Sequence, residues 1–337
     1  MTRLAKTPLS VLDLAPVTAG GSVAETFRNT LDLAQHVERL GFRRYWLAEH
    51  HNLAGIASSA TAVLIGYVAG GTKHIRVGSG GIMLPNHAPL VVAEAFGTLD
   101  ALYPGRIDLG LGRAPGTDQV TLRALRVDPS DAENFPRDVQ ELRALLGPVQ
   151  PGQYVQAIPG RDSNVPIWLL GSSDFSARLA GMMGLPYAFA GQFAPAGMMQ
   201  ALELYRSHFQ PSDVLDKPYA MIGIPVIAAE TDAEAARLAT SAQMKFLNLI
   251  RGGRQPLLPP VDSMDGLWDQ RERAGVDRFF GAAIIGGPSS VQQKLEDFLI
   301  KTGADELLIN SDLYHHADRL RSYEIVAAAA GHSMAGT

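Results

Sequence analysis

The stretch that decides the fold is Tyr45-Trp46-Leu47-Ala48-Glu49-His50-His51. An apolar, aromatic-led run ends abruptly here in three ionisable side chains, and a loop begins at Asn52. A buried strand of a parallel sheet has this pattern when it carries polar groups at its carboxyl end. The stretch therefore predicts a strand of an α/β protein, with functional side chains directly after it.

Strand-like and helix-like patterns alternate along the rest of the chain. The predicted strands are residues 10–14, 45–48, 75–80, 107–112, 166–170, 186–190, 221–229 and 306–310. An apolar helical pattern follows each strand, as in residues 23–40, after which Gly41 stands where a capping glycine belongs. Because such alternation produces a parallel sheet, eight strand–helix units predict a closed (β/α)8 TIM barrel. Residues 14–22 lack the Gly-x-Gly-x-x-Gly of an open dinucleotide-binding sheet.

Two segments interrupt this alternation. Residues 113–165, after strand 4, contain one convincing helix, which begins at Asp131 or Asn134 and ends at Leu146. Residues 251–287, after strand 7 and its helix, are irregular and marked by Gly and Pro. We therefore predict a single barrel domain over residues 1–337, with insertions after strands 4 and 7.

Polar residues mark the starts of two helices. Ser58 or Ser59 is placed to cap the helix after the second strand. Thr231 and Glu234 have the spacing of a capping box before the helix that follows strand 7. Both helices are therefore expected to begin at these residues.

Composition narrows the classes of function. The 337 residues are 46% hydrophobic and 19% charged, as in a globular protein with a large core. A formal charge of −5 without a Lys/Arg block argues against nucleic-acid binding. The chain has no cysteine, which excludes disulfides and cysteine-ligated metals. No apolar run is long enough to cross a membrane and we expect no signal peptide, so we expect a cytoplasmic enzyme.

The adjacent histidines His50 and His51 are the first candidates for chemistry, because TIM barrels carry their active sites after the carboxyl ends of the strands. Neighbouring residues on a strand point to opposite faces, so one strand cannot direct both rings at one metal ion. The pattern therefore disfavours a metal hydrolase, and we expect no metal. A structural pair remains open, as does a pair in which one ring handles protons or binds a ligand.

Two further segments are candidates for binding an anion. Gly171-Ser172-Ser173 lies between a strand and a helix, where free backbone N–H groups and the helix dipole favour an anion. The alternative is an ordinary serine N-cap. Arg113 follows a glycine-rich strand and is placed either to bind an anion bidentately or to pair with a surface carboxylate.

Two neighbouring predicted strands contain several glycines near their ends. They are Gly78, Gly80 and Gly81 on the third strand and Gly110 and Gly112 on the fourth. Glycine inside a strand indicates that another group approaches the backbone closely. The pattern favours a flat ligand lying against the backbone at this edge.

With these motifs the chain resembles the bacterial luciferase-like flavin monooxygenases, in particular the alkanal monooxygenase-like, FMN-dependent subgroup. The motifs occur in family order and the resemblance covers about residues 8–330. They are Trp46-Leu-Ala-Glu-His-His51, Ile75-Arg-Val-Gly-Ser-Gly-Gly-Ile-Met-Leu-Pro85, Pro104-Gly-Arg-Ile-Asp-Leu-Gly-Leu-Gly-Arg113 and Gly171-Ser172-Ser173. Asp13, in Ser10-Val-Leu-Asp-Leu14, also looks like this subgroup.

The resemblance implies a barrel that binds reduced FMN (FMNH2) at its carboxyl-end mouth. Gly80 and Gly81 match the non-prolyl cis peptide beside the flavin ring. Arg113 and the segment Gly171-Ser172-Ser173 match the phosphate-binding positions, and Gln192 is placed near the polar edge of the ring. For catalysis, the resemblance implies the residues His50, His51 and Glu49, with His50 in the acid/base role and the other two in support.

The resemblance also implies a two-component reaction. A separate flavin reductase supplies FMNH2, and O2 is used to oxidise an aldehyde or another small apolar substrate; family members are usually homodimers. Gly112 stands where luciferases carry a reactive cysteine, so we do not expect efficient light emission. Two alternatives remain, namely a coenzyme F420-dependent dehydrogenase on the same barrel and a flavin-binding protein without turnover.

Overall fold

The computed structural model describes residues 2–332, and within them nine strands pair, all in parallel. The strands are β1 (Leu9–Asp13), β2 (Arg44–Leu47), β3 (Arg76–Met83), β4 (Ile107–Gly112), β5 (Ile167–Gly171), β6 (Tyr187–Phe189), β7 (Ala220–Ala228), β8 (Ile284–Gly286) and β9 (Glu306–Asn310).

Eight of these strands form a closed barrel. Neighbours follow the order β6-β5-β4-β3-β2-β1-β9-β7, and a β6–β7 pairing closes the ring. The remaining strand, β8, pairs with Val226–Ala228 of β7, beyond the part of β7 that pairs with β9. The predicted TIM barrel is confirmed, and β8 is an additional strand.

Helices surround the barrel. Within the described residues they are α1 (Val23–Arg39), α2 (Thr61–Gly71), α3 (Pro89–Leu102), α4 (Gln119–Leu125), α5 (Phe135–Leu146), α6 (Asp174–Met182), α7 (Met198–Ser207), α8 (Asp232–Ile250), α9 (Gln270–Phe279), α10 (Pro288–Thr302) and α11 (His316–Ala329). Across residues 2–332, no helix combines the length and the apolar character that crossing a membrane would require.

Alternation along each strand divides the core into two layers. On β2, Tyr45 and Leu47 point outward into the main apolar cluster between sheet and helices. Trp46 points inward and packs edge-on against Trp168, with the ring centroids 5.2 Å apart. The amino end of the barrel is closed by ion pairs from Arg44 to Asp108 (2.7 Å) and to Glu306 (3.0 Å). The open end is therefore the carboxyl end, where the candidate residues lie.

The two inserted segments are more regular than the sequence predicts. In residues 113–165 the expected helix is present as α5, but α4 precedes it, and Asp118 caps α4. In residues 251–287, predicted to be irregular, the structure contains α9 and β8. A capping box of Asp269 and Glu272 begins α9. The three missed elements, α4, α9 and β8, have 7, 10 and 3 residues, so their apolar periodicity is weak.

The predicted caps have different outcomes. Thr231 accepts a hydrogen bond from the Glu234 N–H and caps α8, and Gly41 adopts a φ of +80° after α1. The prediction that Ser58 or Ser59 caps α2 is wrong, because α2 begins at Thr61 after an Ala60 without a side-chain cap. The Ser58 hydroxyl instead donates to the Ala48 carbonyl and fixes the loop that follows β2.

Candidate functional site

The residues after β2 keep the alternation of the strand and so separate Glu49 from His50. Trp46 and Ala48 face the barrel interior, and His50 continues on that side to line two cavities at the carboxyl end. Glu49 faces the layer between sheet and helices and is 1% exposed. The His50 N–H donates to the Ser58 carbonyl (2.9 Å), which fixes the loop.

The first cavity, called here the β3–β4 cavity, lies over the ends of β3 and β4 and encloses about 1010 Å³ including its open mouth. Its walls combine glycine backbone, apolar side chains and a few polar groups. Among the lining residues are Ala48, His50, Gly80, Gly81, Gly112, Arg113, Ser172 and Gln192.

The second cavity, called here the α8 cavity, adjoins the first and encloses about 1040 Å³ on the same measure. The two share Leu14, His50, Gln192 and Phe193. Its other walls come largely from α8 and the ends of β7 and β9, and they are mainly apolar. His50 therefore stands where a ligand in one cavity meets a ligand in the other.

His50 lacks a hydrogen-bond partner for its buried Nδ1 atom within the described residues. Burial lowers the pKa of His50 to about 4, and the nearby Lys245 ammonium acts in the same direction. The ring is therefore neutral at pH 7, with one nitrogen that can accept a proton and one that can donate.

Glu49 is the centre of a polar cluster behind His50. It accepts hydrogen bonds from His51 Nε2 (2.9 Å), His87 Nε2 (2.9 Å), Asn86 Nδ2 (3.1 Å) and the Met83 N–H (2.9 Å). Burial raises the pKa of Glu49, but the bonds from His51 and His87 outweigh it and lower that pKa to about 2. Neither Glu49 nor His51 lines the two cavities. Both therefore hold the loop and the end of β3 in place.

The described residues contain no group of three or more His, Asp or Glu side chains arranged to hold a metal ion. His51 and His87 both bind the Glu49 carboxylate, as described above. The cluster is thus held together by hydrogen bonds between its own side chains.

Glycine backbone forms one wall of the β3–β4 cavity. The Gly80–Gly81 peptide is cis, as the resemblance implied, and the β3–β4 register shifts between Ser79 and Ile82. Gly80, Gly81 and Gly112 line the cavity with main-chain atoms only.

Close packing also constrains these glycines: a Cβ at Gly81 would lie 2.7 Å from the Gly110 carbonyl oxygen, and Gly78 and Gly110 are constrained in the same way. A Cβ at Gly78 would lie 2.5 Å from the Asp108 carbonyl oxygen, and one at Gly110 would lie 2.2 Å from that of Ser79. Neither glycine lines the β3–β4 cavity. Close approach of β3 and β4, rather than a ligand, accounts for these two positions.

Arg113 and Ser172 form a cationic, donor-rich corner of the β3–β4 cavity. The Arg113 guanidinium lies 4.1 Å from the centroid of the Phe175 ring and pairs with no carboxylate in residues 2–332. The alternative of a surface ion pair is therefore not what the structure shows. Ser172 is exposed to the cavity at the amino end of α6.

The other residues of this turn serve the helix. Ser173 is the N-cap of α6 and accepts from the Ser176 N–H, which is the ordinary capping role. Gly171 allows α6 to approach β5, because a Cβ there would lie 2.3 Å from Ser176 Oγ. Neither residue lines the cavity, whereas Ser172 between them does.

Gln192 and Lys245 complete the site. Gln192 is 7% exposed, lines both cavities and leaves its Oε1 atom without a partner in the described residues. Lys245, which the sequence analysis missed, lines the α8 cavity and binds Asp312, with Nζ and Oδ2 2.6 Å apart. Its position as a lysine within the otherwise apolar stripe of α8 could have indicated this role.

Comparison with known proteins gives a consistent result. A family model described as luciferase-like monooxygenase matches residues 7–306. An uncharacterized protein of Bacillus subtilis (strain 168), YvbT, is 60% identical over 322 residues, covering 95% of this chain and 96% of that protein. A luciferase-like monooxygenase of Escherichia coli (strain K12) is 51% identical over 317 residues, covering 94% of this chain and 95% of that protein.

A solved structure agrees with these relatives. The crystal structure of apo-MsnO8 is 35% identical in sequence and superposes with a TM-score of 0.87. The match covers 98% of this chain and 100% of that chain, so the barrel and both inserted segments are included.

Proposed function

The chain belongs to the luciferase-like monooxygenase family, and on that premise we propose that it is an FMN-dependent, two-component monooxygenase. In this proposal a separate flavin reductase supplies FMNH2, and O2 oxidises an aldehyde or another small apolar substrate. One observation carries it: the unpaired Arg113, the glycine wall and the unpartnered atoms of His50 and Gln192 meet at one cavity.

The residues of the β3–β4 cavity fit FMN. Arg113 and Ser172 would hold the phosphate, because guanidinium and hydroxyl donors suit an anion. The main chain of Gly80 and Gly81 borders the cavity, where a flat ring would lie against it, and Gln192 Oε1 is an acceptor without a partner in residues 2–332. When bound in reduced form, FMN would supply the electrons that activate O2 for transfer of one oxygen atom.

The protein's own contribution centres on His50 and the walls around it. A neutral imidazole between the two cavities can take up a proton from the reacting centre and return it. The shared walls Leu14 and Phe193 are apolar and keep water from the reaction. For an aldehyde the balanced reaction is RCHO + FMNH2 + O2 → RCOOH + FMN + H2O.

The decisive experiment combines cofactor binding with isotope labelling. The purified chain is titrated with FMNH2 under anaerobic conditions and with reduced F420, and is then given octanal, 18O2, FMN and a flavin reductase. We expect tighter binding of FMNH2 than of F420, and octanoate that contains one labelled oxygen only when the chain is present. Preferential F420 binding would support the dehydrogenase instead, and FMNH2 binding without product from a panel of aldehydes, with and without a terminal carboxylate, would support a non-catalytic flavoprotein.

Replacing Arg113 with alanine is expected to weaken FMN binding by about ten- to hundredfold, the value of a hydrogen-bonded charge pair. Riboflavin lacks the phosphate, so its affinity should stay the same. Flavin fluorescence titration measures both ligands, and Arg178→Ala, on the exposed face of α6, serves as the control. An equal loss for FMN and riboflavin would show that Arg113 does not bind the phosphate.

We also propose that the chain forms a homodimer through α2 and α3. The α2 sequence contains no charged residue, yet Val63 is 72% exposed, and on α3 Val91 is 59% and Leu102 63% exposed. An apolar surface on two adjacent helices is typical of an interface between subunits.

The dimer proposal predicts that Val63→Glu converts the protein to a monomer, because the interface would bury an unpaired charge. Sedimentation velocity at micromolar protein concentration measures the oligomeric state. The matched control is Val120→Glu on α4, since Val120 is also 72% exposed and should leave the dimer intact. A monomeric wild-type protein, or an unaffected Val63→Glu dimer, would refute this interface.

A further inference from the structure

The α8 cavity contains a buried ion pair that the proposed oxygenation does not require. Lys245 on α8 and Asp312 after β9 have side chains only 14% and 7% exposed, and both line the cavity. Most other lining side chains are apolar, among them Leu14, Ile227 and Phe246. Charges placed in an apolar wall have an energetic cost, so their presence here calls for a physical reason.

Lys245 has hydrogen-bonding capacity that the protein leaves unused. An ammonium group has three N–H donors, and in the described residues Asp312 is its one hydrogen-bond acceptor. The remaining donors border the cavity. A ligand acceptor placed there would form charge-assisted bonds in a largely dry environment, where such bonds are strong.

The charges around the cavity favour an anion over a cation. Asp312 is the one carboxylate among the lining residues, whereas both Lys245 and Arg254 are cations. Arg254 lies at the rim, where it binds Asp118 and the Asn52 carbonyl. The amide of Asn248 also lines the wall, whereas Asn310 Nδ2 already donates to the Leu12 carbonyl (3.2 Å).

We propose that the α8 cavity selects substrates that join an apolar body to a carboxylate, and that Lys245 binds this carboxylate. The apolar body would lie along Leu14 and Phe246, with the oxidisable group toward His50. The placement of the reacting end rests on the proposed monooxygenase function, whereas the recognition of the carboxylate rests on the cavity alone. Lys245 is then a specificity-determining residue.

The test uses two ligands that differ in charge but hardly in shape, octanoate and octanamide. Isothermal titration calorimetry measures their binding to the full chain, with and without added FMN. Wild type is expected to bind octanoate at least about tenfold more tightly than octanamide, as one charge-assisted hydrogen bond provides. Lys245→Met should remove this preference while octanamide affinity changes less than about threefold, and the exposed Lys301→Met serves as the control.

Asp312→Asn provides an opposite prediction. It removes the carboxylate that competes for Lys245, so octanoate should bind more tightly than to wild type. Weaker or unchanged octanoate binding in Asp312→Asn would overturn the proposal, even if Lys245→Met failed to fold. Equal losses of both ligands in Lys245→Met would also overturn it, because they would indicate a purely structural lysine.

The outcome is separable from that of the proposed function, because calorimetry needs no turnover. Octanoate selectivity without any FMNH2 binding would refute the monooxygenase and leave the carboxylate site standing. FMNH2-dependent oxygenation without a Lys245-dependent preference for octanoate would support the monooxygenase and refute the carboxylate site.

Discussion

The His50→Ala variant is expected to lose about 10²- to 10⁴-fold in kcat, the usual contribution of one acid/base group. FMN affinity should change by less than about tenfold, because the phosphate corner at Arg113 and Ser172 is untouched. The reason lies in the placement of the ring. His50 borders both cavities, and its Nδ1 has no partner in the part of the chain that the structure describes. Stopped-flow kinetics with saturating FMNH2 separates kcat from binding.

The pH dependence identifies the same group independently. Burial lowers the pKa of His50 to about 4, with Lys245 acting in the same direction and Glu49 opposing. The neutral form therefore predominates above that value, and the rate should show no His50 titration between pH 6 and 8. The rate should fall as the pH approaches 4, and the residual activity of His50→Ala should not show this fall.

The same shift affects stability in a defined direction. The folded pKa lies below the ordinary value of 6.5, so the unfolded chain binds the proton more readily. The contribution of the neutral ring is complete above pH 6.5 and is lost as the pH falls toward 4. His50→Gln should therefore reduce the acid sensitivity of unfolding in this window.

Two other histidines serve as controls for His50. His74 lies on the surface between α2 and β3, and His74→Ala should retain wild-type kcat. His51 binds Glu49 and does not line either cavity, so His51→Ala should lower kcat less than His50→Ala does. Wild-type kcat in His50→Ala, or a larger loss in His51→Ala, would assign the chemistry elsewhere.

The sequence predicted the barrel because strand-like and helix-like runs alternate in a regular order, which marked even the three-residue β6 as a strand. The sequence left open whether His50 or His51 faces inward; in the structure the alternation of β2 continues past the strand end, from Trp46 through Ala48 to His50. Reasoning from the regular order failed for β8, which has three residues, and for α4, which has seven. Elements of that length depend on tertiary contacts more than on local pattern.

The site was predictable where one strand end supplied it and not where distant segments meet. Arg113 and Ser172 follow neighbouring strands, so parallel pairing brings them to one corner. Lys245 and Asp312 come from α8 and from the loop after β9, and only closure of the barrel joins them. The spacing of Lys245 and Asp312 in the sequence therefore does not predict their contact.

Asp13 is a strand-end carboxylate that belongs to the core and not to the candidate site. The sequence placed it at the end of β1, where site residues are expected. The structure buries it completely between sheet and helices. There it pairs with Arg319 of α11 at 2.8 Å and accepts bonds from Tyr45 and Thr30.

Asp13→Ala is therefore expected to lower the free energy of unfolding by about 3–5 kcal/mol, the cost of leaving a buried charge without its partner. Arg319 is 3% exposed and cannot reach water when the carboxylate is removed. Guanidinium chloride unfolding, followed by far-UV circular dichroism, measures the change. The matched control is Glu230→Ala. Glu230 pairs with Arg321, which lies on α11 like Arg319, but both side chains of this pair are at least half exposed. That exposed pair should contribute far less, because solvent screens it.

The pH dependence of the Asp13 effect has a definite sign. Burial raises the pKa of Asp13, but the Arg319 charge and the bonds from Tyr45, Arg319 and Thr30 outweigh it, so the pKa lies below its ordinary value of 3.8. The contribution of Asp13 to stability is thus complete above pH 3.8 and is lost as the pH falls through the lower, folded value. Wild type and Asp13→Ala should differ by a constant amount between pH 5 and 8 and converge only in strong acid. A difference at pH 7 equal to that of Glu230→Ala would mean that Arg319 finds another partner and that the buried pair does not anchor α11 to the barrel.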